Sequence, residues 1–210
     1  MAGMRRIAFV LLFGSLLASA QTSREVSGYW DDVFRSGKIQ FNKNASKLVQ
    51  LAIRDHKPGL AIDLGMGEGR NAVFLAEQGW HVTGVDISAE AVKQAKARAA
   101  AAHLSIDAIV DDLDRYDPGR AKWDLIVLFY MHAWFHQSKR NVPELLSSAL
   151  KPGGLLVIEG YAGDQGDFQT NELLRDFASL KIVHYEDVVD EADWAPGQKS
   201  HIVRFIAEKP

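Results

Sequence analysis

The segment Asp63-Leu64-Gly65-Met66-Gly67-Glu68-Gly69 sets three glycines at alternate positions, directly after the apolar run Leu60–Leu64. Glycine tolerates a left-handed backbone and has no Cβ, so such a stretch turns sharply and brings its N–H groups close to a ligand. The residues that follow, Arg70–Gln78, have a helical pattern that stops at Gly79. A buried strand, a glycine turn and a helix in that order belong to α/β sheets with ligand sites at the carboxyl ends of the strands.

The rest of the chain alternates in the same way. A helix from Asn44 to about Asp55 is expected before the first strand, with Asn44 as its cap and Ala45, Leu48, Val49, Leu51 and Ala52 as its apolar stripe. His81–Asp86 is the second strand, and Ser88 caps an alanine-rich helix through about Ala102. Ile106–Val110 and Asp124–Phe129 are the third and fourth strands. Asn141 and Pro143 open a helix to Leu150, which Lys151-Pro152-Gly153-Gly154 ends; Leu155–Glu159 is the fifth strand. Asn171–Ser179 is a helix, and Lys181–Val189 with His201–Glu208 closes the chain as an antiparallel pair. This order predicts a doubly wound, mostly parallel α/β sheet with helices on both faces.

The glycine turn is not a dinucleotide fingerprint. That pattern requires Gly or Ala three positions after Gly67, where Arg70 stands. An acidic residue at Asp63 repels a pyrophosphate and suits a cation, such as the amino group of an amino-acid moiety. Asp86 ends the second strand about twenty residues past the turn, the spacing at which a carboxylate takes both ribose hydroxyls. Asp111 and Asp112 follow the third strand, where one of them can meet an adenine amino group.

In these motifs the chain resembles the class I S-adenosylmethionine-dependent methyltransferases. They stand here as Ala61 to Ala72, Gly84-Val85-Asp86-Ile87-Ser88, Asp112-Leu113 and Leu150-Lys151-Pro152-Gly153-Gly154. Gly69-Arg70-Asn71-Ala72 and Tyr29-Trp30-Asp31-Asp32 resemble the small-molecule subgroup related to tellurite-resistance and thiopurine methyltransferases. The resemblance implies a Rossmann-like fold and S-adenosylmethionine as cofactor. It places Asp63, Gly65, Gly67 and Gly69 at the methionine end, Asp86 at the ribose and Asp112 at the adenine. Asn71, Ile87 and Leu113 complete the cofactor set through the same motifs.

Tyr130, His132, Trp134 and His136 follow the fourth strand, where the sheet edge faces the transferred methyl group. Tyr130, Trp134 and His136 are read as walls of an acceptor pocket. His132, nearest the strand end, is read as its general base. Tyr29, Trp30 and Phe41 resemble an N-terminal lid over the cofactor.

Composition narrows the partners. Cysteine is absent, which excludes a disulfide framework, a thiolate metal site and a cysteine nucleophile; no metal is expected. A net charge of −3 without a basic face argues against nucleic acid as partner. The absence of a separate recognition domain favours a small-molecule acceptor. Residues 1–20, with Arg5-Arg6, the apolar run Ile7–Leu17 and Ala18-Ser19-Ala20, read as an export signal, leaving a domain over residues 21–210. Cleavage after Ala20 predicts an exported protein with no stable membrane association; a start near Met4 or beyond predicts a cytoplasmic one. The alternatives in other classes are a noncatalytic adenosyl-ligand binding protein and a nicotinamide-dependent oxidoreductase.

Overall fold

The computed structural model describes residues 23–39, 41–163, 166–193, 197 and 199–210. The expected leader, residues 1–20, lies outside them. Helix α1 spans Ser23–Ser36 and α2 Lys47–Ile53. Then follow β1 (Leu60–Leu64), α3 (Arg70–Glu77), β2 (His81–Asp86), α4 (Ala89–Ala101), β3 (Asp107–Val110) and β4 (Trp123–Phe129). The second half holds α5 (His132–Gln137), α6 (Val142–Ala149), β5 (Leu150–Tyr161), α7 (Glu172–Asp176), β6 (Lys181–Glu191) and β7 (Lys199–Glu208).

The strands form one sheet in the order β3-β2-β1-β4-β5-β7-β6. Pairings from β3 to β5 are parallel; β7 runs antiparallel to both β5 and β6. The central strands are covered on both faces, which is why β4 reads as an uninterrupted apolar run. One core packs α2, α3 and α4 against the sheet through Leu48, Val49, Leu75, Val92 and Ala95. The other packs α5, α6 and α7 through Phe135, Leu146, Leu173 and Phe177.

Several boundaries differ from the sequence expectation, each for a local reason. Helix α2 starts after Ser46, not Asn44, because the Ser46 hydroxyl accepts the Leu48 N–H and caps the helix there. The fifth strand begins at Leu150, paired with Trp123, and its ladder resumes at Leu155. Lys151-Pro152-Gly153-Gly154 is therefore a bulge within β5, stitched to Lys209 through Gly153 N and Gly154 O. Helix α1 and the short α5 are elements that the alternation of strands and helices did not reveal.

A candidate cofactor site at the carboxyl edge of the sheet

The sheet reverses its winding between β1 and β4, and the candidate residues gather at that point. From β1, the glycine turn leads into α3. Gly67 has φ +55° and its N–H donates to Asp86 Oδ2 at 2.8 Å. Gly69, at φ +76°, is the N-cap of α3, and a Cβ there would lie 2.8 Å from the Ala95 methyl on α4. Both positions need glycine, one for its backbone and the other for backbone and space together. Met66 packs its thioether over Gly84 of β2, locking the turn between the first two strands.

Asp63 is the most informative side chain. It is 2% exposed, and its Oδ2 has no hydrogen-bond partner. Burial pushes its carboxyl up to about 7; the charge of Arg70 and the Ala72 N–H oppose that rise, and the neighbouring Asp86 adds to it. An unpaired carboxylate oxygen in such a place is costly to bury and implies a cationic ligand group.

Asp86 is buried at the end of β2. Its Oδ1 accepts the Ser88 N–H at 2.9 Å and its Oδ2 the Gly67 N–H. Burial raises its pKa, and these N–H bonds work against the rise. Each oxygen keeps a second lone-pair direction, so the carboxylate can still accept a diol. Ile87 is half-buried beside it, and Leu113 is buried below the third strand's end. Asp112 accepts the Asp114 N–H and the Ser23 hydroxyl of α1. Asp111 instead bonds the Asp112 N–H and pairs with Arg115.

Asn71 lies in the first turn of α3, buried, with its Oδ1 accepting the Ser46 N–H at 2.9 Å. That bond ties the start of α2 to the glycine turn. Helix α1 packs against α4 without burying any residue of its own. Asp31 accepts from the Ser88 hydroxyl at 2.6 Å and the Glu90 N–H at 3.0 Å. Trp30, Phe34 and Phe41 stack in series, with centroids 6.0 and 5.3 Å apart. Tyr29 meets Trp30 edge-on and is otherwise largely exposed.

The segment after β4 divides. His132 begins α5, with its Nδ1 buried and unpartnered and its Nε2 3.4 Å from Asp167. Burial, aided by the charge of His136, lowers its pKa to about 4. Tyr161 and Phe168 stand edge-on to its ring. Tyr130 has φ +57°, a strained backbone for a bulky residue. Its hydroxyl donates to Glu159 at 2.5 Å and accepts the Asp193 N–H at 3.1 Å.

The other two expected pocket residues are engaged elsewhere. Both His136 ring nitrogens are occupied, one by Gly166 O at 3.2 Å and one by Glu172 at 2.7 Å. The Trp134 N–H donates to Asp114, on the loop after β3. Sequence reasoning missed Glu159, which is buried, meets Arg204 at 3.2 Å and orients Tyr130. A single acidic residue ending the apolar run Leu155–Ile158 was the available signal.

Reversed sheet order, glycine turn, buried acid and strand-end carboxylates together form an α/β sheet edge whose unpartnered acid can receive a cationic group. Residues 61–154 match a family described as a methyltransferase domain. That match spans less than half of the chain, and over it the chain resembles a methyltransferase domain. It is 34% identical over 134 residues to a ribosomal RNA small subunit methyltransferase C of Alcanivorax borkumensis, covering 59% of this chain. It spans only 39% of that relative's length. In fold it matches TehB of Haemophilus influenzae with a TM-score of 0.70 and 18% identity, over 86% of this chain and 67% of the other. The N-methyltransferase NodS of Bradyrhizobium japonicum, solved with S-adenosylhomocysteine, matches with a TM-score of 0.63 and 18% identity. That likeness covers 78% of this chain and 84% of NodS.

Proposed function

We propose that the chain transfers the methyl group of S-adenosylmethionine to a small-molecule acceptor. The observation that carries the reading is the buried, unpartnered Asp63 oxygen above a turn that only glycine can make. When bound, S-adenosylmethionine supplies a methyl group on a cationic sulfur, open to in-line displacement. Asp63 pairs with the ammonium of its amino-acid end, and Asp86 accepts the ribose diol. Asp112 and Leu113 meet the adenine, and Ile87 packs beside the ribose carboxylate. Asn71 holds the turn's far side through Ser46 and presents its amide nitrogen to the ligand.

On the acceptor side, His132 is neutral at pH 7 and has an unpartnered Nδ1. It accepts the acceptor's X–H and takes that proton at Nδ1 as the acceptor is methylated. Tyr161 and Phe168 exclude water around the ring, and Tyr130 closes the wall nearest β4. The net charge of −3 supports a small acceptor over a polyanion such as RNA.

Calorimetry and methyl-labelled S-adenosylmethionine test the reading together. We expect S-adenosylmethionine to bind far tighter than NAD. Label should pass to a low-molecular-weight product in a panel of thiols, metalloid oxyanions and halides. Tighter binding of NAD overturns the assignment. Tight S-adenosylmethionine binding with label passing only to RNA or protein overturns the small acceptor.

A further inference from the structure

Among the described residues the sheet ends on β3 at one side and on β6 at the other, and the two edges are unlike. β3 has only four residues, and a short edge strand offers little for another chain to pair with. β6 runs for 11 residues, Lys181–Glu191, with neither proline nor glycine to interrupt it. Three of its apolar side chains face solvent: Ile182 is 38% exposed, Val183 52% and Val189 68%. A long edge of this kind is a template for another strand.

The pattern along β6 is complementary to itself. Ile182 pairs with Ala207 and His184 with Ile206, so Val183 is an extra residue, a bulge against β7. Alternation on either side of the bulge places Ile182 on the face of Tyr185 and Val189, and Lys181 on the face of His184 and Asp190. A second β6 laid antiparallel about a two-fold axis at Glu186 sets Tyr185 against the second copy's Asp187, and His184 against its Val188. Past the bulge, Ile182 meets the second copy's Val189, and Lys181 meets its Asp190. Each pair lies on one face and occurs twice, as an isologous interface requires. Without the bulge Ile182 would oppose Asp190, and the match of apolar with apolar and cation with anion would fail. Lys181 and Asp190 have partners within the chain, Glu208 and Arg204, yet at least half of each side chain stays exposed for a second one. Only Glu186 meets its own counterpart. Its carboxylate is already balanced, since Arg204 donates to it at 2.8 Å and His184 lies 3.3 Å away.

We infer that β6 is a homodimer interface, at which a second copy of this chain joins edge to edge and antiparallel, doubling the seven-stranded sheet. The occupant is a second copy because the apolar and charged residues of β6 match those of the same strand reversed. The inference goes beyond methyl transfer and stands independently of that reading.

The chain has no cysteine, so the register can be read by cross-linking. Directly opposed residues in antiparallel strands hold their Cα atoms about 4.5–5.5 Å apart, within the span of a disulfide. Full-length chains carrying Ile182→Cys and Val189→Cys, mixed and oxidised, should join into a disulfide-linked heterodimer. Either variant alone should link far less, because its own thiol in the second copy lies about 20 Å along the strand. Light scattering of the parent should read twice the chain mass. Val189→Lys, at an exposed position, should weaken self-association about tenfold, since the pair it breaks occurs twice. A parent that stays monomeric up to its solubility limit overturns the inference. So does a mixture that links no better than either variant alone, or a dimer that Val189→Lys leaves unchanged.

Discussion

A buried carboxylate with one oxygen left without a partner works against folding at any pH where it is charged, and Asp63 is such a group. Its folded pKa of about 7 lies above its unfolded value of 3.8. The folded state thus holds a proton that the unfolded chain has shed, and that contribution is complete below pH 4 and lost as pH rises to 7. Asp63→Asn should raise stability by about 2 kcal/mol, or roughly 4–8 °C in Tm, above pH 7. The gain should vanish near pH 4, where the parent carboxyl is already neutral. The same variant should weaken S-adenosylmethionine, because an amide cannot pair with an ammonium. In the parent, affinity should fall as pH drops below about 7, since the protonated carboxyl must ionise to bind. Thermal unfolding and calorimetry across pH check both halves; a variant no more stable than the parent at pH 8 contradicts the argument.

His132 obeys the opposite sign. Its folded pKa of about 4 lies below the usual 6.5, so its contribution to stability is present above pH 6.5 and lost toward pH 4. So low a pKa makes it a weak base that orients a proton more than it stores one, at the low end of general-base effects. His132→Ala should lower kcat by about 10²-fold on an acceptor with a proton to lose. It should matter little for an acceptor that carries none, and cofactor affinity should stay unchanged. Equal loss on both acceptor types would place His132 in a structural role. The acids that gather at the carboxyl edge of the sheet were legible because each lies at a strand end at a telling distance from the glycine turn. The imidazole's surroundings were not, because Asp167, Phe168 and Tyr161 reach it from later parts of the chain.

At the scale of elements, sequence reasoning found every strand, because buried parallel strands are apolar throughout and punctuated by glycine or caps. It did not outline α1, whose helical face packs on no core. Besides the Trp30–Phe34–Phe41 stack, that helix is held by polar contacts, with Asp31 at the start of α4 and Gln94 donating to Phe34 O at 3.1 Å. Such a helix is cheap to displace, as an element that admits and retains a ligand must be. Asp31→Ala should therefore speed release of S-adenosylhomocysteine about tenfold, roughly 1.4 kcal/mol of residence, while Tm shifts by no more than a few degrees. Stopped-flow dissociation and thermal unfolding read the two effects. A large loss of stability with unchanged release would make α1 a fixed part of the fold. The bulge in β5 was hidden for another reason: Pro152-Gly153-Gly154 signals a break, and only pairing with β4 and β7 shows that the strand continues on both sides.

For the whole molecule, the order β3-β2-β1-β4-β5-β7-β6 collects residues distant in sequence at one edge. Asp63, Asp86 and Tyr130 come from the ends of three strands, and Asp193 from the connection between β6 and β7. The described fold begins at Ser23 with α1, whose hydroxyl already reaches Asp112. If the chain is cleaved after Ala20, as its first twenty residues predict, the mature chain loses Arg5 and Arg6 and keeps the whole of α1. Such cleavage would leave 22 basic against 27 acidic residues, a net charge of −5. Native protein should accordingly begin at Gln21 when its intact mass is measured, and should be found outside the cytoplasm. A recombinant chain of residues 21–210 should bind S-adenosylhomocysteine as tightly as the full-length chain, because every residue assigned to the candidate site lies within it. Native cytoplasmic protein that retains Met1 would show instead that the first twenty residues are kept, and that export is not their purpose.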